Sequence, residues 1–253
     1  MKELVTKVKE VKNIAENTFS LTVTLPESVG EIKGGQFLNI STGDNSRLLK
    51  RPLGIVKAEG NDITVCFQVK GEGTEALANA KRGEELSVLL PLGNGFDIPK
   101  SAKNIVVLGG GVGVFPLLPV VCGNTGKNFY TYLGFRNKNC ACLLDEFKTS
   151  KKLTVVTDDG SLGGKNNAVN AYFEEIDEVP ADLIIACGPP VMLRALKAKL
   201  KESGVKTPCF VSLEERMGCG IGACLVCVCK KSDGGNARVC KDGPVFDIDE
   251  VEL

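Results

Sequence analysis

Cysteine is the residue type whose spacing carries chemistry here. In the stretch Met217-Gly218-Cys219-Gly220-Ile221-Gly222-Ala223-Cys224-Leu225-Val226-Cys227-Val228-Cys229, three cysteines form C-x4-C-x2-C, and Cys240 follows. That is the ligand spacing of a [2Fe–2S] cluster, held by Cys219, Cys224, Cys227 and Cys240. Thiolates from one short loop converge only if the backbone wraps tightly, and Gly218, Gly220 and Gly222 lack the Cβ that would resist it. The amides of such a loop can point at the sulfurs and offset their negative charge. A structural Cys₄ zinc site competes as a reading, although zinc ribbons usually carry two C-x2-C pairs. Cys229 could stand in for Cys227, but the spacing favours Cys227 and leaves Cys229 as a strand residue.

Composition narrows the chemistry further. The chain has 253 residues, 11 cysteines and no histidine. Imidazole acid–base catalysis, Cys₂His₂ zinc, Rieske ligation and histidine-held haem are therefore excluded. Lys plus Arg and Asp plus Glu number 31 each, so the net charge is zero and a nucleic-acid partner is not expected. Met1-Lys2-Glu3-Leu4-Val5 resembles neither an export signal nor a membrane span, so a reducing, cytoplasmic setting and no membrane partner are expected. There, clustered thiols more often bind metal or do redox chemistry than form disulfides.

Two weaker signals lie upstream. Arg51-Pro52-Leu53-Gly54 opens a strand, and Gly73-Thr74 begins a helix-like stretch whose amides suit a pyrophosphate, with Thr74 as N-cap or hydroxyl donor. Arg51 can add a charge-assisted contact. Gly109-Gly110-Gly111-Val112-Gly113 joins an apolar strand to a helix. It is not a G-x-G-x-x-G fingerprint, because Val114 breaks the spacing. It is either a tight turn or a place where a ligand meets backbone at the edge of a parallel sheet.

The elements that must position these residues fall into three regimes. Residues 1–98 alternate with period two between Gly and Pro turns, which predicts a small antiparallel β-barrel. Residues 99–213 alternate continuous apolar strands, such as Asn104 to Leu108 and Leu183 to Cys187, with helical stretches such as Val191 to Glu202. This predicts an α/β domain with a parallel sheet covered on both faces. Residues 214–253 form the cysteine-rich end.

In this order the segments resemble the ferredoxin–NADP reductase superfamily. With the cysteines included, the resemblance spans the chain and narrows to the electron-transfer subunits of NAD-dependent (type B) dihydroorotate dehydrogenases. The residues that carry it are Arg51-Pro52, Gly73-Thr74, Pro91 to Phe96, Gly109 to Gly113, Asp158 to Ser161, Cys187-Gly188-Pro189 and the four-cysteine set. The resemblance implies an FAD-binding barrel (1–98), a nicotinamide-binding domain (99–213) and a [2Fe–2S] domain (214–253). FAD would meet Arg51, Pro52, Leu53, Gly54, Cys66, Phe67, Gln68, Gly73 and Thr74. NAD would meet Gly110, Gly111, Gly113, Cys187, Gly188 and Pro189, with Arg136, Asp158 and Asp159 near the adenosine half. Arg136 leaves NADP open on the residues alone, and the resemblance favours NAD. The family usually has Ser or Thr where this chain has Gly54, and Tyr-Arg where it has Phe67-Gln68.

A nicotinamide gives electrons in pairs and an iron–sulfur cluster takes them singly, so the flavin belongs between them. The implied role is oxidoreductase electron transport in pyrimidine (UMP) biosynthesis. The implied partner is an FMN-containing dihydroorotate dehydrogenase catalytic subunit, in a heterotetramer of two plus two. Alternatives are a reductase subunit of a sulfhydrogenase or ferredoxin–NADP transhydrogenase, and a zinc-stabilised binding module.

Overall fold

The period-two alternation at the N-terminal end closes into a barrel. In the computed structural model, which describes residues 1–43 and 48–253, the barrel strands are β1 (Lys2–Ala15), β2 (Thr18–Thr24), β3 (Phe37–Ile40), β4 (Arg51–Glu59), β5 (Asp62–Gln68) and β6 (Glu85–Leu92). They run β1-β2-β5-β4-β3-β6, all pairs antiparallel, and β6 returns to β1. Closure leaves no unpaired edge. Alternate residues such as Leu21, Leu38, Ile40, Ile63, Val65 and Val88 fill the interior. Phe37, one position out of step with Leu38, belongs instead to the core shared with the rest of the chain.

The helix α1 (Glu72–Ala78) sits between β5 and β6. It starts earlier than the sequence suggests, and this corrects the assignment of Thr74 as N-cap. Gly71 is the cap, with Thr74 in the first turn. The Thr74 hydroxyl donates to the Gly71 carbonyl and accepts from the Lys70 and Gly71 amides. A hydroxyl folded back in this way fastens the helix start.

The second unit contains β7 (Asn104–Gly110), α2 (Val114–Gly123), β8 (Asn128–Phe135), β9 (Lys152–Thr157), α3 (Ala168–Phe173), β10 (Leu183–Cys187), α4 (Pro190–Ser203) and β11 (Cys209–Ser212). Five strands, in the order β11-β10-β7-β8-β9, are parallel. The near-continuous apolar runs of β7 and β10 are explained by helices on both faces. Helices α3 and α4 cover the face of Val106, Tyr132 and Ile184, and α2 covers the face of Ile105, Val107 and Ile185.

The sheet differs from expectation in one strand. Of β12 (Val228–Lys230), β13 (Asn236–Arg238) and β14 (Val245–Asp247), the last pairs antiparallel with β11 and completes a six-stranded mixed sheet. A three-residue strand is too short for periodicity to reveal. The cysteine-rich end is thus sewn into the sheet. Cys229 lies in β12, as its spacing suggested. Among the described residues no helix is long and apolar enough to cross a membrane.

A polar clasp ties β8 to β9. The fully buried Tyr132 donates its hydroxyl to Glu175 Oε2 at 2.7 Å, and Lys152 Nζ reaches the same oxygen at 2.7 Å. Lys152 and then Tyr132 hold the Glu175 carboxyl below its ordinary range. The stabilisation is therefore present above the ordinary carboxylate range and is lost as pH falls through the lowered value. Tyr132→Phe is expected to cost about 1–2 kcal/mol at neutral pH. Urea unfolding should show this gap between the two proteins narrowing as the solution is acidified.

Candidate functional site: two clefts and a four-cysteine loop

A cleft of about 270 Å³ lies where the barrel meets the sheet. Of the residues expected to meet FAD, Pro52, Leu53, Gly54, Cys66, Phe67, Gln68 and Thr74 line it. Arg51 and Gly73 lie beside it and pack on each other. A Cβ on Gly73 would collide with the Arg51 guanidinium, so the two upstream motifs form one structure. From the other side come Val112, Phe115 and Pro116 of the first strand–helix turn, and Cys187.

The Cys187 thiol is buried, and burial, aided by Glu214, pushes its ionisation far above the ordinary range. Its register partner Ser212 is also its hydrogen-bond partner. Cys187 is thus a neutral, shaped wall rather than a nucleophile. Sequence reasoning missed Lys70, Ser212, Glu214 and Met217, which also line this cleft. Glu214 is exposed, yet the atoms crowded around its carboxyl push it up, opposed by Lys70. The one available signal was its place immediately after a buried strand.

A second cleft of about 330 Å³ opens at the carboxyl ends of β7, β8, β9 and β10, where open parallel sheets bind ligands. Gly110, Gly111 and Pro189 line it with Asp158, Asn167 and Met192. Gly113 and Gly188 do not line it. Gly113 instead lies against the Cys187–Gly188 peptide, closing the turn onto β10. Geometry also separates the three charged candidates. Asp158 faces the cleft, whereas Arg136 is exposed outside it. Asp159 accepts bonds from the Ser161 amide and hydroxyl.

Three of the cysteines lie in the loop that precedes β12, and Cys240, in the turn after β13, comes back to it. They draw into two pairs, Cys219 with Cys224 and Cys227 with Cys240. Backbone amides converge on the sulfurs: Ile221, Ala223 and Cys224 on Cys219 Sγ at 3.3–3.4 Å, Gly222 on Cys240 Sγ at 3.1 Å, and Cys240 on Cys227 Sγ at 3.4 Å. Gly220 and Gly222 take φ of +73° and +82°, which L side chains adopt only with strain. Leu225 is held at φ +58° without that freedom. Burial pushes the Cys219 thiol up, but the Ile221, Cys224 and Ala223 amides and the Cys224 thiol outweigh it and bring it to about 6. Burial and Cys227 push Cys240 up to about 12.

Two thiol pairs suit two irons, each taking two thiolates, better than one ion taking four. The donor set and the amide cradle therefore fit a binuclear cluster rather than structural zinc. Cys227 and Cys240 are buried, whereas Cys224 is exposed among Ile221, Leu225 and Val226. One half of the site faces the interior and the other faces out.

Residues 214–252 match the family model for the iron-sulfur cluster binding domain of dihydroorotate dehydrogenase B. The chain is 37% identical to the electron transfer subunit of dihydroorotate dehydrogenase B (NAD(+)) of Streptococcus mutans serotype c, covering 100% of this chain and 99% of that one. It is 40% identical to the same subunit of Caldanaerobacter subterraneus subsp. tengcongensis, over 86% of each chain. A solved structure of an NADH-dependent reduced ferredoxin–NADP oxidoreductase superposes with a TM-score of 0.85 at 29% identity, over 98% of this chain and 89% of that one. Phthalate dioxygenase reductase shares the fold, with a TM-score of 0.69 at 17% identity over 99% and 96%. With the barrel, the mixed sheet and the four-cysteine loop assembled in this order, the chain belongs to the family of dihydroorotate dehydrogenase B (NAD(+)) electron transfer subunits.

Proposed function

We propose that this chain moves electrons between NAD and a dihydroorotate-oxidising partner. FAD occupies the first cleft, NAD the second, and a [2Fe–2S] cluster sits on Cys219, Cys224, Cys227 and Cys240. The two-by-two arrangement of those thiols, beside a cleft built jointly by barrel and sheet, carries the reading. Bound FAD supplies the exchange between paired and single electrons.

The chain's own residues position and exclude. Pro52, Leu53, Gly54, Cys66 and Phe67 line the flavin side, with Gln68 and Thr74 further along. Arg51, packed over Gly73, is one cation for the pyrophosphate. Lys70 is the other. It lies two residues beyond Gln68, lines the same cleft, and supplies the charge that Gln68 lacks. Gly110, Gly111 and Pro189 receive the nicotinamide cofactor, while Gly113 and Gly188 let its turn and strand approach closely. The neutral Cys187 thiol separates the two clefts without reacting with an electrophilic ring.

The partner is an FMN-containing dihydroorotate dehydrogenase catalytic subunit, in a heterotetramer of two plus two chains in the cytoplasm. The outward half of the cluster site fits such a partner. Ile221, Leu225 and Val226 are 43–61% exposed around Cys224, which is apolar surface at the point where electrons leave. A second reading, a subunit of a ferredoxin–NADP transhydrogenase, draws on the likeness to the ferredoxin–NADP oxidoreductase structure.

Three outcomes test these assignments. Anaerobic NADH titration should bleach flavin bands and produce the electron paramagnetic resonance signal of a reduced cluster. Cys227→Ser should lose iron and the cluster signal, and full iron retention with an unchanged signal would overturn the ligand assignment. Mixing with an FMN-containing catalytic subunit should give dihydroorotate-dependent NAD⁺ reduction. Turnover with reduced ferredoxin and not with dihydroorotate would favour the second reading.

A fourth outcome concerns Asp158. Its carboxylate faces the second cleft with no side-chain partner among the described residues, placed to bind a ribose hydroxyl and repel a 2′-phosphate. Asp158→Ala is expected to lower kcat/KM for NADH by roughly 10- to 150-fold, matching about 1.5–3 kcal/mol for a charged hydrogen bond. The preference for NADH over NADPH should shrink with it in steady-state assays.

A further inference from the structure

The seam between barrel and cluster loop holds a polar side chain that the folded chain leaves unsatisfied. Asn39, in β3, is 1% exposed, and its Oδ1 has no hydrogen-bond partner among the described residues. Its register partners are Pro52, which lines the flavin cleft, and Leu89. On its other side is the loop that carries the cysteines. A Cβ on Gly220, adjacent to Cys219, would collide with Asn39 Nδ2 and approach Leu92. Asn39 is therefore wedged between the wall of the flavin cleft and the first cysteine of the cluster loop.

A leucine would fill that space without burying a polar group, so packing alone does not account for an amide here. The end of the amide that faces the cysteine loop is Nδ2, a donor, so the group it can serve there is an acceptor. The group this loop is built to hold is a cage of thiolate and sulfide sulfurs, which accept hydrogen bonds. With Nδ2 already beside Gly220, an N–H faces the loop without any rearrangement of its neighbours. Hydrogen bonds to the sulfurs are among the factors that set a cluster's potential.

We infer that Asn39 is a positioning residue for electron transfer: its side-chain amide donates a hydrogen bond from the flavin barrel to the cluster and raises the cluster's reduction potential. The added electron makes the sulfurs more negative, so a donor favours the reduced state. The inference rests on the cluster assignment above and assigns a role to a barrel residue outside the ligand loop.

The test is a potentiometric titration of the complete protein, monitored by optical and electron paramagnetic resonance spectra, on wild type and Asn39→Leu. The flavin potential serves as internal reference. The expected result in Asn39→Leu is full iron content with a reduced-to-oxidised cluster ratio about tenfold lower at fixed poise, equivalent to about 59 mV for one electron. Full iron content with an unchanged cluster potential would overturn the inference and leave the cluster assignment standing. Absence of iron from wild type would overturn both. If Asn39→Leu fails to load, the wild type decides. Protein labelled with side-chain ¹⁵N-asparagine should show a weak ¹⁵N coupling to the reduced cluster in pulsed electron paramagnetic resonance, and no such coupling would sink the inference.

Discussion

Four sulfurs held in two pairs by the amides of one tight loop and of the turn that returns to it are the constraint on which the rest of the structure depends. Thiolates repel one another and are poorly hydrated where Cys227 and Cys240 sit, so the loop must supply local dipoles before metal arrives. It does so with N–H groups and with turns at Gly220 and Gly222 that ordinary residues would strain. Such a loop has almost no core of its own. It holds its shape only if its two ends are anchored in something larger.

The anchoring is visible on three sides. Arg238 and Asp242 form an ion pair, and Arg238 also reaches the Gly222 carbonyl, which brings the Cys240 turn beside the loop. The Asn94 side chain donates to the Lys241 and Asp242 carbonyls, fixing the same segment to the end of the barrel. Strand β14 then joins β11, which fastens the cysteine-rich segment to the parallel sheet. Phe37 and Leu92 of the barrel, Ile184 and Val211 of the sheet, and Cys227 and Cys240 share one apolar core. Electron transfer requires cofactors at fixed short separations, and a core common to all three units provides that rigidity better than linkers would.

Much of this was legible in the sequence because it rests on local rules. The cysteine spacing is a statement about one loop. The alternation of β1 to β6 and the apolar runs of β7 and β10 are statements about single strands, and these periods survive without tertiary information. What stayed hidden depends on pairing between distant segments. Asn39 reads as one polar residue in a strand, and nothing nearby in sequence says that Gly220 lies against it. Glu214 follows a buried strand like any loop residue until the barrel brings Lys70 and Gln68 to the same cleft. Strand β14 exists only because β11 offers an edge. Thr74 was misplaced as a cap for a smaller reason: α1 begins at Glu72, before the first residue with a strong start signal.

The departures at Gly54 and Gln68 show how a site can keep its chemistry while changing its residues. A Cβ on Gly54 would stand 3.7 Å from Pro116, an ordinary contact, so packing does not demand glycine there. The open space belongs to the cleft, and Gly54 widens it at the wall that α2 presses from behind. Gln68 removes a cation from the barrel wall, yet Lys70 restores positive charge two residues later on the same cleft face. That shift also places Lys70 in the field of Glu214, whose carboxyl the cleft otherwise holds toward its neutral form. Lys70 draws the Glu214 carboxyl back down, so a single cation on this cleft face offsets the crowding that raises the acid.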